Sequence, residues 1–130
     1  MPEFVLSLRL LDGRFAVCRL APAAETPAWA LSRGEFLSVT HTSDELSLVC
    51  REDSVPEDIE CERGWRILQV EGPLDFALTG ILASIAAPLA DAGVSISAVS
   101  TFETDYILVK ETNLALAQRA LQSAGHRVGC

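Results

Sequence analysis

The sequence predicts an α+β fold in two halves, each an antiparallel sheet with its helices on one face, the first half irregular. Three observations lead there. The N-terminal half alternates with the period of two that strands require, between short turn signals. The C-terminal half sets two helix-periodic stretches among four short apolar strands. A charged stretch containing Pro56, Glu52 to Gly64, reads as the connector between these two rhythms. The order in the second half is β-α-β-β-α-β. It folds as an antiparallel sheet with both helices on one face, the ferredoxin-like arrangement.

The elements follow in order. The segment Phe4 to Leu11 is a strand that ends at Asp12-Gly13, a hairpin signal because glycine takes a positive φ at little cost. Arg14 to Leu20 is the expected return strand. In the Pro- and Ala-rich stretch that follows, Pro27 opens a short helix through Trp29 to Leu31. Glu35 to His41 and Glu45 to Arg51 flank the turn Thr42-Ser43-Asp44 and form a second hairpin. Trp65 to Glu71 is a strand. Leu78, Ile81, Leu82, Ile85 and Leu89 then recur at helical spacing. Pro88 should kink or loosen that helix, and Gly93 should stop it. Val94 to Ser100 and Tyr106 to Lys110 are strands around the turn Thr101 to Asp105. Thr112 caps a last helix with Leu114, Ala117 and Leu121 on one face. Gly125 ends it before a short final strand.

Composition narrows the function. The 130 residues are 49% hydrophobic, enough for a real core and too apolar for disorder. The net charge is -8 and the ten basic side chains are scattered. Clustered Lys and Arg that could neutralise phosphates are missing, which argues against nucleic acid and anionic membranes. No stretch reaches the roughly 20 apolar residues of a membrane span, and no secretory leader is visible, so a cytoplasmic location is expected. Cys18, Cys50, Cys61 and Cys130 form no C-x-x-C pair and stand far in sequence from His41 and His126. No metal site or cofactor is expected, and Cys18 and Cys50 read as small strand hydrophobes. No nucleophile, base and orienter stand at recognisable spacing, so an enzyme is not expected. His41, near a hairpin tip, reads as solvated or packed rather than catalytic.

Two blocks carry a family resemblance. Thr79 to Thr101, reading TGILASIAAPLADAGVSISAVST, and Ser100 to Glu111, reading STFETDYILVKE, resemble the ACT domain, a ligand-sensing module of amino acid metabolism. The FAVCRL, AWA and ELSLVC segments extend the likeness over nearly the whole chain. They are similar to a subgroup of short proteins with tandem ACT-like halves, and to segments of the cytosolic arginine sensors. The resemblance implies an N-terminal ACT-like half over residues 1–62 and an ACT domain over 63–130. ACT domains often open their first helix with Asp-x-Pro-Gly. The aligned stretch here is Ala77-Leu78-Thr79-Gly80, so only Gly80 matches, and Asp75 stands two residues early.

The candidate ligand site follows from these residues. A helix N-terminus presents unpaired N–H groups and a partial positive charge, which suit a carboxylate. Leu78, Thr79, Gly80 and Ile81 surround that terminus, with Asp75 in the loop before it. The alternative is that Thr79 caps the helix and Gly80 merely packs against the sheet. Asp105 at the hairpin turn could receive a cationic group, or could serve only its own turn. The resemblance implies the first role. It also implies that Ser95 and Ile96 face the pocket from a neighbouring ACT unit, hence a homodimer. The expected function is regulatory binding of a small molecule, an amino acid by resemblance, at a seam between ACT units. The alternative is a structural or interaction protein that keeps the fold without the site.

Overall fold

The computed structural model describes residues 5–31, 34, 36–71 and 80–129. These contain the strands β1 (Ser7–Leu10), β2 (Phe15–Leu20), β3 (Ser38–His41), β4 (Leu46–Arg51), β5 (Cys61–Val70), β6 (Ile96–Ser100), β7 (Asp105–Lys110) and β8 (Arg127–Gly129). They also contain the helices α1 (Ile81–Asp91) and α2 (Leu114–Ser123). The fold is α+β, as the sequence predicts. The chain forms two compact units, one from Asp12 to Trp65 and one joining the N-terminal segment through Leu11 to the chain from Arg66.

In the unit Asp12–Trp65 the strands lie in the order β3-β4-β2-β5, with all three pairings antiparallel. This is the strand order of a ferredoxin-like sheet. Among the described residues, single 3-10 turns, Ala28–Leu31 and Glu52–Ser54, stand where its helices would be. In the first connection Pro27 precedes the turn Ala28–Leu31, and its carbonyl accepts the Ala30 N–H at 3.1 Å. Ala16, Cys18, Leu46, Leu48 and Cys50 form the core, covered by Ala30 and Val55. The hairpin β3-β4 forms as expected, and its turn is held by the Thr42 hydroxyl, which accepts from the Asp44 and Glu45 N–H groups.

Two expectations fail in this region. Asp12-Gly13 does not turn a hairpin. β1 and β2 do not pair with each other; both run antiparallel to β5, along Leu68–Val70 and along Cys61–Trp65 respectively. Gly13, at φ 85, lies where the chain passes from one stretch to the other. The connector is also shorter than expected, because Cys61 to Gly64 already belong to β5. Glu62 and Arg63, the charged residues there, are both exposed, so the strand keeps them in contact with water. Gly64 sits at φ 82 beside the register shift between β2 and β5, and the Glu52 carboxylate accepts its N–H at 2.6 Å. That contact satisfies a donor which the shifted ladder leaves over.

In the other unit the strand order is β6-β7-β5-β1-β8. One core joins Leu8, Leu68, Val70, Ile107 and Val109 of the sheet to Ile81, Ile85 and Leu89 of α1 and Ala117 and Leu121 of α2. Both helices therefore cover one face. The sheet departs from a purely antiparallel one. β1 takes the place beside β5, and β8 lies outside it, parallel to β1. Burial of Leu6 and Leu8 in the core explains why the N-terminal strand holds this position.

Both helices end in the same motif. Gly93 at φ 77 and Gly125 at φ 101 turn the chain, and the next N–H groups, of Val94 and His126, bond back to Leu89 and Leu121. Leu82, expected on the buried stripe of α1, is 39% exposed. Ile81, Ile85 and Leu89 fill that stripe at spacings of four, and Leu82 is turned roughly 100° from it. Thr112 does not cap α2; it lies in a 3-10 turn, Glu111–Asn113, and Asn113 precedes the helix.

Pro88 lies inside α1, which continues through it to Asp91. Lacking an N–H, it cannot bond the carbonyl of Ser84 four residues back. The His126 Nε2 bonds that carbonyl instead, at 2.9 Å. The Leu6 N–H donates to His126 Nδ1 at 3.1 Å. Because Nδ1 must accept, Nε2 carries the proton and the ring is the neutral tautomer. His126, 4% exposed, thus ties α1, the entry to β1 and the end of α2 together.

Candidate functional site

The candidate site is built around the C-terminal end of β5. The chain leaves β5 at Glu71, and α1 runs back toward the start of β6 at the other end of the sheet. Gly80 precedes α1 at φ 82, a left-handed conformation that a side chain would strain. Its carbonyl accepts the Ser84 N–H at 2.9 Å, closing the first helical turn. The Ile81 side chain enters the core, so what Ile81 can offer a ligand is its backbone N–H. Asp75, Leu78 and Thr79 lie outside the described residues.

The hairpin β6-β7 reaches the same end of the sheet. Its turn is closed by the Thr101 N–H bonding to the Thr104 carbonyl at 2.9 Å. Thr104 is buried, and its hydroxyl donates to the Val70 carbonyl at 2.6 Å, pinning the turn to the last residue of β5. Asp105, expected as the end of the turn, is the first residue of β7 and pairs with Ser100. The Ser100 hydroxyl donates to Asp105 Oδ1 at 2.6 Å. This bond fixes the carboxylate and leaves acceptor capacity on it.

Ser95 and Ile96 do not meet Asp105. Ile96 pairs with Val109 at the opposite end of the β6-β7 ladder from the Ser100–Asp105 pair. Four residue steps along the strand separate the two positions, roughly 13 Å. Ser95 is exposed, whereas Ile96 is half-buried and packs against the core. Within one chain the geometry thus joins Asp105 to the end of β5 and leaves Ser95 and Ile96 away from it.

Sequence reasoning missed three groups. Thr104 reads as an ordinary turn residue, and its bond to Val70 joins residues 34 apart in sequence. His41, which lacks a partner in the sequence reading, bonds the Pro22 carbonyl through Nε2. Cys18, Cys50 and Cys61, scattered along the chain, meet in the unit Asp12–Trp65. The Cys18 thiol hydrogen-bonds to Cys50 and is held well above its usual range by that bond and by burial. The same bond lowers the Cys50 thiol. Burial pushes the Cys61 thiol up, opposed by the charge of Arg63. Among the described residues, no group of His, Cys, Asp and Glu is arranged to hold a metal ion. This unit also carries a cavity of about 300 Å³ lined by residues that include Arg19, Glu45, Glu60 and Glu62.

The ACT-domain family profile matches residues 60–123, and a second profile, of an N-terminal domain, matches residues 13–58. Residues 60–123 of the chain belong to the ACT-domain family. The subunit 1 of the cytosolic arginine sensor for mTORC1 from Bos taurus is 34% identical over 101 residues, covering 69% of this chain and 31% of the sensor. The human protein of the same name is 33% identical over the same shares. The chain therefore spans about a third of the length of these relatives. A crystal structure of an Agobacterium tumefaciens protein is similar at TM-score 0.91 and 38% identity, covering 97% of this chain and 93% of that one. The regulatory subunit of aspartate kinase from Thermus thermophilus, at 13% identity and TM-score 0.59, covers 88% and 93% and shares the fold. Among the described residues, no helix is long and apolar enough to cross a membrane.

Proposed function

We propose that this ACT protein is a regulatory, non-catalytic binder of a free amino acid, with the ligand at a seam between two copies of the chain. The ligand's carboxylate meets the backbone N–H groups around Thr79 to Ile81, and Asp75 and Leu78 belong to the same site. Its cationic end meets Asp105. A second copy contributes Ser95 and Ile96. One observation carries the reading. Thr104 ties the turn before Asp105 to the end of β5, the end from which the chain enters α1. An acidic carboxyl and a positive helix end near each other complement the two ends of a zwitterion. The far position of Ser95 and Ile96 on the hairpin fits a contribution from another copy. The names of the relatives, an arginine sensor and a kinase regulatory subunit, support the regulatory class.

Thermal shift against the free amino acids identifies the ligand, and calorimetry measures its affinity. Asp105→Asn keeps the shape, and its side-chain oxygen can still accept from Ser100, so the fold is expected to hold. Loss of the charge-assisted bond should weaken binding by about 1.5–3 kcal/mol, roughly ten- to hundredfold. Unchanged affinity in the folded variant would leave Asp105 only its bond with Ser100. Light scattering at micromolar concentration tests the seam. A dimer is expected, and a monomer that binds the ligand would remove Ser95 and Ile96 from the site.

A further inference from the structure

We propose that Cys18 and Cys61 are a modification site, a thiol pair that a hydroperoxide converts to a reversible cross-strand disulfide while Cys50 stays reduced. The argument starts from register. Cys18 and Cys61 lie directly opposite each other in the antiparallel pair β2-β5. The next position along belongs to Arg19, whose N–H bonds the Glu60 carbonyl at 3.0 Å. Hydrogen-bonded and non-hydrogen-bonded pairs alternate along such a ladder, so Cys18 and Cys61 form a non-hydrogen-bonded pair. Its Cα atoms stand about 4.5 Å apart, inside the range of roughly 4.4–6.8 Å that a disulfide spans. Cys50 is placed differently. It pairs with Ala16, whereas Cys18 pairs with Leu48, so Cys50 is a diagonal neighbour of Cys18. The Cα atoms of diagonal positions are about 7–8 Å apart, so the two thiols meet in a hydrogen bond, but a disulfide between them would need backbone movement.

The chemistry assigns an order to the two thiols. Cys18 is 1% exposed, whereas Cys61, the first residue of β5, is partly open to solvent. Cys61 is the thiol a small oxidant reaches first. Its thiolate attacks a hydroperoxide oxygen; the S–O bond forms, the O–O bond breaks, and the alkoxide or hydroxide that leaves takes from solvent the proton that the thiol released, giving an alcohol or water. The Cys18 sulfur then attacks the Cys61 sulfur. The S–S bond forms, the S–O bond breaks, and the departing hydroxide takes the Cys18 proton as water. Two thiols lose two electrons and one hydroperoxide gains them. Burial raises the Cys61 thiol, so thiolate is scarce near neutrality and the reaction should quicken by up to about tenfold for each pH unit gained.

The test uses the full chain carrying Cys130→Ser, which removes links through the C-terminus. The folded protein is treated with hydrogen peroxide from neutral to mildly alkaline pH. Remaining thiols are alkylated after denaturation, and peptides are mapped by mass. The expected product has lost two hydrogens, carries one link between Cys18 and Cys61 and an alkylated Cys50, and returns to the thiol form with dithiothreitol. Cys61→Ser should abolish the link, and Cys50→Ala should keep it. A link between Cys18 and Cys50, Cys61 oxidised to sulfinic acid without a link, or no link at the most alkaline pH would each overturn the proposal.

Discussion

At Ser84 one missing N–H explains an otherwise unremarked histidine. Pro88 removes the donor that an α-helix would aim at the Ser84 carbonyl, and His126 supplies another from 42 residues away. The same ring accepts the Leu6 N–H. His126→Ala strips both partners and leaves buried groups unpaired, at a cost of about 2–4 kcal/mol. Pro88→Ala returns a backbone donor to Ser84. The double variant should therefore lose less stability than the sum of the two single changes, by about 0.5–1.5 kcal/mol. Chemical denaturation of the four proteins measures this coupling. Strict additivity would show that His126 does not stand in for the absent donor. His126 is visible in the sequence only as a polar residue just after a helix-stopping glycine. Its partners lie 42 and 120 residues away, beyond any local pattern.

Among the elements, β5 differs most from its sequence reading. Trp65 to Glu71 is apolar and alternating, and the strand there is legible. Cys61 to Gly64 is charged and contains a glycine, which reads locally as loop, yet it continues the strand. Pairing with β2 overrides the local preference, and the Glu52 carboxylate takes the N–H freed at Gly64. Gly64 has open space where a side chain would go, but its φ of 82 strains any other residue. Gly64→Ala should thus destabilise by about 1–2 kcal/mol without a steric clash. A melting temperature equal to the wild type would mean that the strand relaxes to negative φ at no cost. The helices were more legible, because period and terminal glycines act within one or two turns. Gly93 and Gly125 stop them as the sequence predicts.

At the scale of the whole molecule, the N-terminal strand belongs to the sheet of the unit that begins at Arg66. It inserts between β5 and β8, and Leu6, Leu8 and Leu11 are buried. Deletion of residues 1–11 should remove that strand, unpair the inner edges of β5 and β8, and take away the Leu6 donor to His126. Each buried leucine contributes about 1.5–3 kcal/mol, so their joint loss rivals the whole stability of a small domain. The truncated chain should melt without a cooperative transition and bind a hydrophobic dye. A sharp transition at the wild-type temperature would show that β1 is dispensable. The fragment Trp65 to Cys130 lacks the same strand and should fail in the same way.

The sequence by itself determined the class of fold, the two helices, the hairpins β3-β4 and β6-β7, and the ACT family. Each rests on short-range periodicity, on glycines at turns, or on the two blocks around Gly80 and Asp105. Tertiary structure decided the partners of β1, the parallel placement of β8, the reach of β5, and the role of His126. It also brought together Cys18, Cys50 and Cys61, and joined Thr104 to Val70. The reason is the same in each case. Strand pairing and buried polar bonds join residues distant in sequence, and they form only where burial on the shared core fixes the register.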